Sequence, residues 1–588
     1  AVFNIGKKKE QNIDDKINDI FQKTTPSLKE SDDVYLLMVD DDSVEHVGTW
    51  PWNRDVMGDT IIYARELGAD SVVFDLSYLD PSARSADPEY IETELPGYID
   101  AGFNSISETT ASIIDAFAEG MYGYDDSEDV KQAFDEFNEE VKNQIKTNVS
   151  YVVTDNDAYL ASCLNVFDNS YLTLSFENKE EDEAGLAQGS DIYYLGTRIA
   201  LDNLDASEDS ITPEYNSLTP ALDPLLKKAK SAGFVNAEPD ADGYRRRVHL
   251  VFKYDGAYYG QLAFVPLLHK FGNPEVVITN NSITLKDAKL SDAETKDIVI
   301  PRCEDGSVLV KYPKKKFLDY NYINVWNLYQ MKNEEKVLRQ NLTMLEEAGL
   351  FEYFETEDYM TPKDYYEGAM YVRDALLSEN TQDGEITFET YMEYKNKCFD
   401  SLYEFLNGGY EEIICADYEN DEETQIQISA VFTEMREKLD QLLNLRKSIS
   451  EKISGAMLIV GTCATSTTDY AITLYEENYP NVGVHASVAN MILAQDFLDD
   501  SPWWIAVIIA LIMCAGYCSI VQRLSTGKSL LVGLGLMLVT VLGLWGFFAI
   551  TKIYVGTFIP VVSLFLTFVA KTIIGFLTAS HEKKFIQG

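Results

Sequence analysis

Val34-Tyr-Leu-Leu-Met-Val39 is an unbroken apolar run, closed by three acids, Asp40-Asp41-Asp42. A segment apolar on both faces and polar only at its end fits a strand inside a parallel sheet. Asn53 is placed to cap a helix from Arg54 to Leu67, whose Val56, Ile61 and Ala64 fall near helical spacing, and Gly68 ends it. Ser71-Val-Val-Phe74 follows as a second apolar strand, again closed by an acid, Asp75. Strand, helix and strand in that order predict a right-handed parallel crossover. Working outward, further strands are expected at 171–176 (after a helix near 158–164), 247–254, 275–285, 298–300 and 308–312. Residues 456–460 open another strand–turn–helix unit, its helix near 484–498. The fold class is α/β, with a mostly parallel sheet.

Two stretches do not belong to that sheet. Residues 88–150 and 325–452 lack strand signals and repeat apolar residues at helical spacing, so both read as helical insertions. The second, with long runs such as 425–453, reads as an antiparallel helical arm or coiled-coil-like hairpin projecting from the sheet.

The last 88 residues differ in kind. Residues 502–521, 529–550 and 554–578 are apolar runs of membrane-spanning length, interrupted only by Lys571 near the end of the third. Three transmembrane helices are expected. Arg523 and Lys528 in the first connection, and Lys583 and Lys584 after the third span, belong inside by the positive-inside rule. The chain before Pro502 then lies outside, with Trp503 and Trp504 at the outer interface. The division is an exterior part over 1–500, a membrane part over 501–580 and a connector over 581–588. The chain opens on Ala1 and no apolar stretch precedes the globular part, so export implies a signal or span ahead of it. The short tail implies a domain after Gly588.

Charge follows the same division. The chain carries 96 acidic and 48 basic side chains, a net −48. Residues 1–500 hold −53 and residues 501–588 hold +5. A surface so acidic repels phosphate backbones, which excludes nucleic acid as a partner of the exterior part. Cys398 and Cys415 are the one pair considered for a disulfide, buried free thiols being the favoured alternative.

Several motifs together resemble a known family. Val39-Asp40-Asp41 with Gly48-Thr-Trp-Pro-Trp-Asn-Arg54, and Gly68-Ala-Asp-Ser-Val-Val-Phe-Asp75, look like the opening of the type-two CHASE domain, a sensory extracellular domain associated with cyclases and histidine kinases. Gly233-Phe-Val-Asn236, Pro239-Asp-Ala-Asp-Gly243 with Arg246-Arg247, Ile300-Pro301 with Asp305-Gly306, and Val460-Gly461 with Asp469 and Val482-Gly-Val-His485-Ala486 follow in family order. The resemblance covers roughly 34–85, 155–320 and 454–500; residues 463–468, Cys-Ala-Thr-Ser-Thr-Thr, depart from it. It implies an exterior sensor, three spans and a cytoplasmic effector. The tail His581-Glu-Lys-Lys-Phe-Ile-Gln-Gly588 is similar to the connector of class III adenylate/guanylate cyclases, and histidine and serine/threonine kinases share the sensor.

Candidate chemistry is sparse. Glu238-x-Asp240-x-Asp242-Gly243 begins like a calcium loop, but position twelve is His249, and a tight turn before a strand is the better reading. Gly527-Lys528-Ser529 lacks the first glycine of a phosphate loop. Cys463 with His485 has the composition of a nucleophile pair without evident geometry, and the five histidines show no metal spacing. Asp40, Asp41, Asp42, Asp75 and Asp80 fall at the C-terminal edge of predicted parallel strands, where open α/β sheets bind ligands; loop capping explains them equally. Trp50, Trp52 and Arg54 either line that crevice or anchor their loop. The ligand-binding candidates are therefore Asp40, Asp41, Trp50, Trp52, Arg54 and Asp75.

The expected function is a receptor in the cytoplasmic membrane of a bacterium, passing an exterior signal to a cyclase; the alternatives are a kinase effector or a non-catalytic surface protein whose arm engages a partner. No catalytic, metal or cofactor residue is assigned in 1–588, and ATP with a divalent metal is expected only in a cyclase domain beyond it. Expected partners are membrane lipid, an exterior ligand and a second copy of the chain, packed through Gly533, Gly535, Gly543 and Gly546.

Overall fold

The computed structural model describes residues 2–587 apart from 87–89, 151, 181–183, 188, 355, 357–358, 379–385, 466–468 and 523, and gives no side-chain placement for 2–12, 93–94, 150, 154, 526 and 579–587. Arg523, residues 466–468 and the side chains of His581, Lys583 and Lys584 therefore lie outside the described residues.

Helix α1 (Val2–Thr24) precedes β1 (Val34–Val39), α2 (Asp41–Val47), α3 (Arg54–Glu66) and β2 (Ser71–Phe74). The pair α4 (Leu95–Ala118) and α5 (Ser127–Ser150) comes next, then α6 (Asn156–Phe167), β3 (Ser170–Glu177), β4 (Ser217–Pro220) and β5 (Ser231–Phe234). Helix α7 (Phe264–Lys270) leads to β6 (Glu275–Ile278), β7 (Ser282–Ser291) and β8 (Glu294–Pro301). Strand β9 (Tyr322–Asn324) runs straight into α8 (Val325–Glu347), α9 (Pro362–Leu377), α10 (Phe388–Asn407), α11 (Tyr410–Asp417) and α12 (Glu422–Ile453). After β10 (Met457–Thr462), α13 (Val482–Leu493) and β11 (Asp499–Asp500) come α14 (Trp503–Val521), α15 (Thr526–Thr551), β12 (Ile553–Tyr554) and α16 (Phe558–Gln587).

The main sheet runs β9–β1–β10–β2–β3, all parallel, with β5 parallel and β4 antiparallel to β3. Its central strands are covered on both faces. Leu37, Val39, Val72, Phe74, Leu458 and Val460 point into one core; Leu36, Met38, Val73, Met457 and Ile459 point into the other. This is the two-residue alternation of a strand, hidden in the sequence because both faces are apolar. Each such side chain contributes about 1.5–3 kcal/mol on burial.

Residues 325–452 are helical, but they are not an arm projecting from the sheet. They form the crossover between β9 and β10, the two parallel neighbours of β1. Leu328, Met331, Leu342, Phe405, Phe432 and Leu439 share a core with Leu37 and Val460. Helical spacing identifies an apolar stripe; it does not say whether the stripe meets another helix or a sheet. The other insertion does stand apart: α4 buries none of its residues and packs on α5, where Gly102 meets Val141 and Ile145.

Smaller departures have local causes. The expected strand 247–254 is broken, because Arg247–Val248 pairs with 308–309 whereas Val251–Tyr254 pairs with 257–260. Likewise 275–285 folds back as the hairpin β6–β7. Of 308–312, only Val308–Leu309 is strand. Helix α13 starts at Val482 and stops at Leu493, with Gln495 left-handed at φ +49°. The third apolar helix begins at Phe558 instead of 554, since Ile553–Tyr554 pairs with Asp499–Asp500. All seven cysteines are free, Cys398 and Cys415 included. The three apolar helices each have the length and composition to cross a membrane, with mean hydropathies of 2.4, 2.3 and 2.0.

Candidate functional site

The candidates at the sheet edge are held by separate sets of partners. Asp40 caps α2, its Oδ1 accepting the N–H of Ser43 at 2.9 Å. Asp41 accepts the N–H and hydroxyl of Thr465 at 2.9 and 3.1 Å, and Asp42 accepts Asn324 Nδ2 at 2.9 Å. Trp50 and Trp52 meet edge to face at 5.0 Å, and the Trp52 indole N–H donates to the Gly48 carbonyl at 2.7 Å. The Arg54 guanidinium is buried between Asp157 and the Asp80 carbonyl, over the Tyr78 ring. It ties the loop after β2 to α6.

Asp75 alone meets a group of chemical interest. Its Oδ1 lies 3.5 Å from His485 Nε2, and Gln261 Nε2 stands 2.5 Å from His485 Nδ1. Gln261 is oriented by its own Oε1, which accepts the N–H groups of Ala263 and Phe264 at 2.7 and 3.1 Å. Its amide therefore donates to Nδ1 and leaves the ring proton on Nε2, facing Asp75. His485 thus has partners other than Cys463, whose thiol burial, Asp40 and Asp41 push up to about 12. A thiolate nucleophile is not favoured there.

The calcium-like loop is an arginine clamp. Gly243 is left-handed at φ +88°, and its N–H donates to the Asp240 carbonyl, which closes the turn. Arg246, 1 % exposed, grips both carboxylate oxygens of Asp19 at 2.8 Å and reaches Asp242 at 2.8 Å. Arg247 bridges Asp240 at 2.8 Å and Asp15 at 2.7 Å. Two of the three acids that suggested a cation site, Asp240 and Asp242, are neutralised by guanidinium groups, with forked geometry suited to carboxylates.

Sequence reading missed the other half of this clamp, which is α1. Asp15 and Asp19 face the α/β part, whereas Asp14 beside them faces the apolar helices. Asp14 Oδ1 accepts the Thr557 N–H at 2.8 Å, the Phe558 N–H at 2.9 Å and the Tyr554 hydroxyl at 2.9 Å. It serves as the N-terminal cap of α16 from 543 positions away. Thr24 accepts the Trp545 indole N–H at 2.6 Å. Phe21 packs among Phe548, Tyr554, Leu309 and Leu498.

A second connection runs beside it. Asp496 pairs with Lys311 at 2.6 Å and with Lys552 in the turn between α15 and α16. Two residues of β11 pair with β12, and Ser501 N–H donates to the Tyr554 carbonyl at 2.8 Å. Burial raises the Asp500 carboxyl to about 7; Arg247 opposes this, and Asp15, Asp14 and Asp499 add to it. No motif could have found this junction, since each half reads as ordinary surface charge.

A family model for the CHASE2 domain matches residues 1–518, from α1 through both helical insertions into the first apolar helix. No curated protein and no solved structure matches the chain. The chain belongs to the CHASE2 domain family of extracytoplasmic sensor domains, and three apolar helices of membrane-spanning length close it.

Proposed function

We propose that the chain is the sensory and membrane part of a receptor whose exterior state is passed through α1 and the β11–β12 pair to three spans and on to a cytoplasmic effector, a class III adenylate/guanylate cyclase. The observation that carries the proposal is the sharing of one helix: Asp15 and Asp19 are gripped by the sensor, and Asp14 caps α16. A change in the sensor that moves the Arg246–Arg247 loop then moves the cap of the last span. The cyclase assignment is supported by the family's association and by the tail's resemblance at 581–588. Arg523 before α15 and Lys528 in its first turn support an orientation with that end of the hairpin in the cytoplasm and the acidic part outside.

The active receptor is a two-fold dimer in this proposal. Gly533 packs against Tyr517 and Phe568 of its own chain, whereas Gly535, Gly543 and Gly546 meet nothing within 4 Å. Those three leave α15 a surface that another helix can approach closely. The test is cyclic nucleotide production by membranes from cells expressing the natural full-length coding sequence, with and without Asp14→Ala. Output that depends on Asp14 is expected. Absence of any cyclase activity would overturn the effector assignment, and output indifferent to Asp14 would overturn the coupling route.

A further inference from the structure

The cavity of about 150 Å³ between the turn at 195–203 and helix α7 belongs to neither the sheet-edge candidates nor the junction. Its floor is buried and apolar, built from Leu268 and Val276, with the hydroxyl-bearing Ser231 also buried. Its rim carries one cation, Arg198, and one anion, Asp202, both exposed. Neither has an ion-pair or hydrogen-bond partner among the described residues. His269 forms part of the wall.

The histidine is set up as a donor. Its Nδ1 lies 2.7 Å from the Tyr171 hydroxyl, and Tyr171 is 2 % exposed. Burial holds that phenol protonated well above its ordinary range, so the O–H donates to Nδ1. The ring is kept neutral as well: burial first, then the charge of Lys230, lowers its proton affinity and outweighs Asp202, which acts to raise it. A neutral imidazole that accepts at Nδ1 must carry its proton on Nε2. That N–H has no partner among the described residues.

These groups select by charge as well as size. A lone anion entering the cavity meets Asp202, and a lone cation meets Arg198. A molecule bearing both charges satisfies the two together. The volume is well below the range of about 300–1,000 Å³ for drug-sized ligands, which restricts the occupant to a small metabolite. We propose that this cavity binds a small zwitterion of α-amino-acid size, its carboxylate taken by Arg198 and the His269 N–H, its ammonium by Asp202. The inference goes beyond the receptor reading, which names no ligand, and stands on the cavity's own chemistry.

The probes are the twenty L-amino acids, each with its N-acetyl and its amide derivative, titrated calorimetrically into the detergent-solubilised full chain. At least one amino acid is expected to bind, and removing either of its charges should weaken binding by at least about ten-fold, the cost of a lost charge-assisted contact. Arg198→Gln and Asp202→Asn, on the exposed rim, should each weaken binding by a similar factor and leave the ligand-free melting temperature unchanged. Failure of every amino acid to bind at about 10 mM would overturn the proposal. So would equal binding of an amino acid and its N-acetyl or amide form, or binding unmoved by both substitutions.

Discussion

The carboxylate of Asp14 accepts the backbone N–H of Phe558 at 2.9 Å, so a side chain of the first helix caps the last one across 544 positions. The two neighbours of Asp14 on the sensor side, Asp15 and Asp19, are held by Arg247 and Arg246. Helix α1 is therefore fixed to both parts of the molecule.

Removal of that cap should be felt as stability. Asp14→Ala leaves the Thr557 and Phe558 N–H groups without their acceptor and is expected to cost about 1–2 kcal/mol, while Asp14→Asn, itself a good cap, should cost less. Thermal unfolding in detergent checks the order. An alanine variant as stable as the parent would show that α1 does not hold α16.

A larger loss is expected at the buried charges between α3 and the crossover helices. Glu66 and Glu335 face Lys395 and Arg446, with Lys395 Nζ 2.7 Å from Glu66 and 2.8 Å from Glu335. Burial acts to raise the Glu66 carboxyl, but Lys395 and Arg446 outweigh it and hold it well below the usual range. Glu66→Gln leaves two buried cations against one carboxylate, and a cost of about 3–5 kcal/mol is expected in denaturant unfolding. Lys395→Met added to it should recover part of that loss. The Glu66 contribution is whole above the unfolded carboxyl value of about 4.3 and is lost as pH falls through the lower folded value.

Asp500 carries the opposite sign. Its folded value of about 7 lies above the ordinary 3.8, so the folded state holds this proton more tightly than the unfolded chain. Stability contributed by this group falls as pH rises from about 3.8 to about 7, and the penalty is complete above that. Asp500→Asn removes the penalty. The variant should exceed the parent at pH 8, by about 4 kcal/mol at most, and the gap should shrink at pH 5. A gap that is constant across the two pH values would contradict the assignment.

What was legible in the sequence was what is local. The run Val34–Val39 and the strand Ser71–Phe74 announced themselves because a strand buried on both faces has no polar residue to interrupt it. The apolar helices were legible for the same reason. Glu66, Lys395 and Arg446 were not, because a charged residue in a helix looks the same facing solvent or facing a partner 329 or 380 positions away. Asp40 and Arg54 were legible as polar residues at a sheet edge, but only the fold shows a cap in one case and a pair with Asp157 in the other. The clamp left one sign, the adjacent Arg246-Arg247 after two acids; its partners Asp15 and Asp19 left none.

Dimerisation has its own test. The exterior part carries −53, so two copies side by side repel at low ionic strength, where the Debye length is about 30 Å, and less at 0.15 M, where it is about 8 Å. The detergent-solubilised mass should therefore rise with salt. Gly543→Leu with Gly546→Leu should hold the chain monomeric throughout, because both positions face open space and leucine would block close approach there. A parent chain that is monomeric at every salt concentration would end the proposal.

The central claim, an exterior sensor feeding an interior effector, is tested most directly by labelling single introduced cysteines in intact cells with a membrane-impermeant maleimide. Tyr124→Cys, at a site 92 % exposed on the loop between α4 and α5, and Lys528→Cys, in the first turn of α15 just after the connection from α14, are read against the background of the parent chain. The account predicts that Cys at 124 is labelled in intact cells and Cys at 528 only after permeabilisation. Labelling of 528 in intact cells, with 124 protected until the membrane is opened, would contradict it.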